Sequence, residues 1–167
     1  MARPGRPEVI VRAARPHEYA AIGRLLVAAY GPSGMPPDEG YWESLRDTAA
    51  RTRDAEVWVA EVDGRLAGTV TWAGTGSGQR EIASEGEAEF RMLAVDPARQ
   101  GRGIGRALVE AVVGRARADG YTALVMSSST WMTTAHRMYE QVGFVRLPDR
   151  DWTPAPGIDL IAYGLTL

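Results

Sequence analysis

Three glycines and two arginines crowd the stretch Gln100-Gly101-Arg102-Gly103-Ile104-Gly105-Arg106-Ala107, and this stretch limits the possible folds more than any other part of the chain. Glycine tolerates positive φ and close backbone approach, so successive N–H groups there can converge on one anion. The flanks fix the context. Upstream, Phe90 to Val95 reads as a strand that Asp96-Pro97 ends; downstream, Ile104, Ala107, Leu108, Ala111, Val112 and Ala116 recur at helical spacing. The glycines therefore join a strand to a helix N-terminus, whose dipole also favours negative charge.

Two familiar phosphate loops are excluded. A Walker A loop needs Lys-Ser/Thr after its last glycine, and Arg106-Ala107 stands there. A dinucleotide fingerprint needs G-x-G-x-x-G and an acidic residue ending the next strand; here the spacing is wrong and that strand runs into serines. The pattern that fits is Q/R-x-x-G-x-G/A, met by Gln100, Gly103 and Gly105. With Leu93-Ala94-Val95-Asp96-Pro97 in front, this segment resembles the GNAT acetyltransferase superfamily. The resemblance implies that Gln100, Gly101, Arg102, Gly103, Ile104, Gly105 and Arg106 hold the pyrophosphate of acetyl-CoA, with Arg99 also free to meet phosphates. It further implies that the main chain of Leu93, Ala94 and Val95 binds the pantetheine arm and polarises the thioester carbonyl.

The remaining pattern predicts the order βααβββαβαββ, a mixed α/β (α+β) sheet that matches the GNAT fold, in one domain over 1–167 with its cofactor core at about 87–144. Val9–Arg12 starts it as a strand. Ile22, Leu25, Leu26, Ala29 and Tyr30 form one helical stripe, and Tyr41, Trp42, Leu45 and Ala49 suggest a second helix after a break at Gly31–Asp38. Glu56–Val62 and Arg65–Trp72 flank Asp63-Gly64, a strong hairpin signal. Gly74–Gly86 reads as a mobile surface loop, Ser127–Thr130 as a polar loop and Pro148–Gly157 as a proline-rich loop, with Phe144–Leu147 and Ile158–Leu167 as the last strands.

Composition removes several functions. With 167 residues, 45% of them hydrophobic, the chain can bury a sizeable core. A formal net charge of −2 supplies no basic field for nucleic acid. The absence of cysteine rules out thiol nucleophiles and thiolate metal sites, and 2 histidines without H-E-x-x-H spacing make no metal motif. No apolar run is long enough to span a bilayer, so a cytoplasmic protein without membrane partners is expected.

Within Ala135–Phe144, the resemblance to A-x-x-x-Y-E-x-x-G-F implies that Tyr139 protonates the departing thiolate; the competing view is a core tyrosine on the stripe of Ala135 and Val142. The asparagine often found seven residues earlier in the family is replaced by Met132, with Thr133, Ser129 or an ordered water as substitutes. Glu89 matches a strand carboxylate that some members use as base, and strand alternation puts it on one face with Arg91, Leu93 and Val95. The competing view is a Glu89–Arg91 surface pair, and Glu87 is the reserve. His136 and Arg137 read as solvated or phosphate-facing. Asp38, Glu39, Glu81, Glu85, Trp42 and Trp152 in candidate acceptor loops favour a small cationic primary amine, attacked directly in a ternary complex. A protein N-terminal or lysine acetyltransferase, or a non-catalytic acyl-CoA sensor, is the alternative; homodimerisation through the final strands is a further expectation.

Overall fold

A computed structural model describes residues 5–31 and 39–167. The strands are β1 (Val9–Ala13), β2 (Glu56–Val62), β3 (Arg65–Ala73), β4 (Glu87–Val95), β5 (Ala123–Ser129), β6 (Val145–Arg146), β7 (Trp152–Ala155) and β8 (Ile158–Thr166). The helices are α1 (Tyr19–Tyr30), α2 (Glu39–Arg46), α3 (Thr48–Arg51), α4 (Ile104–Ala118) and α5 (Thr133–Val142). The fold is mixed α/β, as predicted. Strands follow the order β1-β2-β3-β4-β5-β8-β6, with β7 paired to β8. Only β4 and β5 run parallel; the other pairs are antiparallel.

Local chemistry explains most of these elements. Asp63 and Gly64 both take positive φ, the geometry that a two-residue hairpin between β2 and β3 requires. One face of α1 buries Ile22, Leu25, Leu26 and Tyr30 against Leu45, Val57, Val59, Met92 and Ala94. Gly23 lets α2 come close, since a Cβ there would stand 2.6 Å from the Arg46 carbonyl oxygen. The predicted second helix is two: Asp47 interrupts it and caps α3 by accepting from the Ala50 N–H at 3.0 Å. Arg51 is buried, and its guanidinium donates to the Ser44 and Leu45 carbonyls, closing the C-terminus of α2. On the other face, Ile104, Leu108, Val109, Val112 and Ala116 of α4 pack with Val70, Trp72, Ala88, Phe90 and Leu124.

Four local expectations are corrected. Strand β5 continues through the serines to Ser129, because β8 supplies ladder partners from Ala162 to Leu160. The proline-rich segment contains β7, which tolerates Pro154 because it pairs on one side only, with β8. Gly74–Gly86 is a pinned loop: Thr75 donates to the Tyr121 hydroxyl, Gly78 to Asp54, and Glu81, Ile82 and Ala83 to Glu89. Alternation along β4 also fails. Thr71 pairs with Arg91 but Thr69 with Ala94, so β4 carries one extra residue, and Met92 takes φ +52. Leu93 and Val95 consequently pack with Ala88 and Phe90 towards α4, whereas Met92 and Ala94 face α1.

Candidate active site

Pairing between β4 and β5 stops at Glu89 and Val125, although both strands continue. Beyond that point each keeps its outer neighbour, β3 or β8, and the inner edges diverge around the bulge. Two cavities open in the gap.

The first, of about 430 Å³, brings together Leu93, Ala94 and Val95, the loop residues Gln100, Gly101 and Gly103, the first turn of α4 (Ile104, Gly105 and Arg106), and Thr133, Thr134 and Met138 of α5. Gly101 and Gly103 have φ near +79 and +78. Gly103 stands at the N-cap of α4 with no side chain capping it, and the first turn carries no acidic residue, so its N–H groups remain available to an anion. Arg102 is exposed and lies outside this lining. Arg99 turns to Asp96 and the Val62 carbonyl, and Arg106 pairs with Glu110 at 2.9 Å.

The second cavity, of about 350 Å³, is walled by Gly40 and Tyr41 of α2, Phe90 and Arg91 of β4, Met126 to Ser129 of β5, Pro154 and Ala155 of β7, and Glu81. Tyr30, Leu93, Met132 and Tyr139 line both cavities and form their junction. Tyr139 is 2% exposed, and its ring packs with Phe90, Phe144 and Tyr163. Its hydroxyl makes no hydrogen bond to a described residue, and burial raises its pKa, so it stays protonated across the working pH range. Tyr30, which the sequence marks only as part of a stripe, donates its hydroxyl to the Leu93 carbonyl at 2.8 Å and holds the bulged strand. Met132 occupies the N-cap of α5, and its sulfur accepts from Ser128 Oγ at 3.7 Å.

Glu89 is fully buried and lines neither cavity. Its carboxylate accepts from the N–H groups of Glu81, Ile82 and Ala83 at 2.9–3.1 Å. There is no Glu89–Arg91 pair: Arg91 binds Glu81 at 2.6 Å and Gln79 Oε1 at 2.9 Å. The Glu81 carboxyl is pushed up by burial, with Arg91 opposing and Glu89 reinforcing the shift. Glu87 accepts from the Ser84 N–H and from Arg150.

His136 is buried, not solvated; it bonds Ser128 Oγ at 3.1 Å, and burial lowers its pKa. Arg137 is exposed. Of the proposed acceptor-loop residues that the structure describes, only Glu81 lines the second cavity: Glu85 is exposed, Trp42 joins the α1 core and Trp152 buries an indole N–H with no partner among the described residues. Asp38 and the side chain of Glu39 lie outside the described residues. Among the described residues, no cluster of three or more His, Cys, Asp or Glu could hold a metal ion, and no helix is long and apolar enough to cross a membrane.

Comparison with known proteins identifies the family and the fold. The profile of the Acetyltransferase (GNAT) family matches residues 19–144. N-acetylaspartate synthetase of Danio rerio is 31% identical over 101 residues, covering 60% of this chain and 33% of that protein, so the match spans a third of that relative's length. A GNAT-family acetyltransferase structure from Staphylococcus aureus Mu50 superposes with a TM-score of 0.75 at 13% identity, over 96% of this chain and 99% of that one. A Salmonella typhimurium structure, solved with its cofactor acetyl-CoA, gives a TM-score of 0.67 at 23% identity over 95% and 94% of the two chains.

Proposed function

The chain belongs to the GNAT acetyltransferase family, and on that premise we propose that it moves an acetyl group from acetyl-CoA to the primary amine of a small molecule. The observation that carries this reading is the pair of cavities meeting at Tyr139. One suits the cofactor: Gly101 and Gly103 free the loop backbone, and the uncapped start of α4 offers N–H donors to a pyrophosphate. The other suits the acceptor, because about 350 Å³ lies within the usual range for small-ligand pockets, roughly 300–1,000 Å³. Walls from α2 and β7 favour a small molecule over an extended peptide.

In the ternary complex the amine nitrogen attacks the thioester carbon; the C–N bond forms, the C–S bond breaks, and the amine gives up a proton while the thiolate gains one. The N–H groups of the bulged β4 around Leu93 polarise the carbonyl, and Tyr30 fixes that peptide. Tyr139 donates the proton to sulfur. Its raised pKa makes full transfer uphill, and the positive charge growing on the attacking nitrogen offsets part of that cost. Glu81 is the base we propose, since it lines the acceptor cavity and its raised pKa makes it a better proton acceptor. Glu89, the choice from sequence, positions it by gripping the Glu81–Ala83 main chain.

A panel of primary amines incubated with acetyl-CoA tests the proposal by quantifying released thiol and acetylated product. One thiol per acetylated amine, with no acetylated protein in the mass spectrum, is expected. Binding of acetyl-CoA without transfer to any amine would instead identify an acyl-CoA sensor.

A further inference from the structure

We propose that the acceptor carries a carboxylate beside its amine, and that Arg91 reads it; an α-amino acid is the simplest such molecule. This rests on the second cavity being the acceptor site. Arg91 lines that cavity and is held rigidly: Nε pairs with Glu81 at 2.6 Å, and Nη1 donates to Gln79 Oε1 at 2.9 Å. Nη2 makes no hydrogen bond to a described residue, which leaves two N–H donors of an oriented guanidinium unspent. The surrounding walls hold one carboxylate, Glu81, which Nε already engages, and the hydroxyls of Tyr30, Tyr41 and Tyr139. Phe90, Met126, Ile158 and Leu160 are apolar, and Ser127 to Ser129 contribute hydroxyls.

Arg51, which does not line the cavity, adds positive potential near Arg91. It is buried, forms no ion pair among the described residues, and lies near enough to Arg91, Asp47, Tyr30 and Tyr41 to interact electrostatically with them. The nearby negative charge is divided differently. Glu89 is fully buried and spends its oxygens on three backbone N–H groups, whereas Glu81 lines the cavity beside Arg91, where an ammonium can reach it. An acceptor with an amine alone would expel water from Arg91 and replace it with nothing, whereas a carboxylate restores a charge-assisted hydrogen bond. The small cationic amine that the acidic loops suggest becomes, in this proposal, a zwitterion, its ammonium facing Glu81 and its carboxylate facing Arg91.

The test compares the common α-amino acids with their carboxamides and their decarboxylated amines, all with acetyl-CoA, in the unmodified protein, Arg91→Gln and Arg91→Lys. At least one amino acid should be acetylated with a kcat/KM at least about tenfold above its carboxamide and decarboxylated partner. Arg91→Gln should abolish that preference through KM for the amino acid, leaving KM for acetyl-CoA unchanged, and Arg91→Lys should restore part of it. Equal or faster turnover of the carboxamides or simple amines would overturn the proposal without using any variant. Turnover of no amino acid, in a protein whose melting temperature rises with acetyl-CoA, would overturn it while leaving the cofactor assignment intact. No response to acetyl-CoA at all would bring down the transferase reading and this inference together. A preference that survives Arg91→Gln would take the role from Arg91.

Discussion

Glu81 and Glu89 carry the same carboxyl group eight residues apart, yet their surroundings differ, and in the proposed function they do different work. Three N–H groups donate to one Glu89 oxygen, so Glu89→Gln can keep its carbonyl oxygen on them but turns its NH₂ towards the Glu81 N–H and loses the charge-assisted part of the bonds, destabilising the fold by about 1 kcal/mol. Glu81→Gln should fold normally and lose turnover by roughly 10²–10⁴-fold if it removes the base. The pH profile separates them further. Burial raises the Glu81 pKa above its ordinary 4.5, so below that raised value the base is protonated and the rate falls; the acid limb should lie above the ordinary glutamate range. That limb should vanish in Glu81→Gln and persist in Glu89→Gln. The sequence points to Glu89 because its place on the strand before Leu93 matches a carboxylate that some family members use, whereas the folding back of the Gly74–Gly86 loop, which brings Glu81 to the cavity, depends on a buried carboxylate eight residues away.

At the level of single elements, the turn and helix signals that act locally were readable. Asp63-Gly64 specifies its hairpin, and the glycines before Ile104 mark the strand-to-helix junction. What escaped detection depends on distant partners. Nothing around Met92 announces a positive φ, and the bulge becomes apparent only from the pairing of β3 with β4. Serines hid the end of β5, and Pro154 hid β7, until β8 was in place to pair with both. The glycine junction supplies its own test. A Cβ on Gly103 would come no nearer than 3.8 Å to the Arg6 side chain, so Gly103→Val suffers from its φ of +78 rather than from a clash. Forcing a β-branched residue there costs of the order of 1–3 kcal/mol of local strain or rearranges the loop. Titration with acetyl-CoA should therefore show at least about tenfold weaker binding in a protein that still folds, because the cradle and the start of α4 move together. Unchanged affinity would place the pyrophosphate elsewhere.

On the scale of the whole molecule, function follows from a sheet that opens. Helices α1–α3 cover one face and α4 the other, holding β3 and β4 on one side of the gap, while β8 holds β5 on the other. The two cavities, one along Phe90–Leu93 and the other along Leu93–Val95 of β4, share one buried phenol, Tyr139, and in the proposed function they take acceptor and cofactor respectively. Tyr139→Phe measures that meeting most directly, since it removes one hydroxyl and keeps the ring packed among Phe90, Phe144 and Tyr163. The hydroxyl bonds to no described residue, so stability should change by less than about 0.5 kcal/mol. Acetyl-CoA affinity should also hold, and turnover of an accepted amine should fall by roughly 10²–10⁴-fold. Near-normal turnover in a folded Tyr139→Phe protein would contradict the account, and the proton for sulfur would have to come from another group.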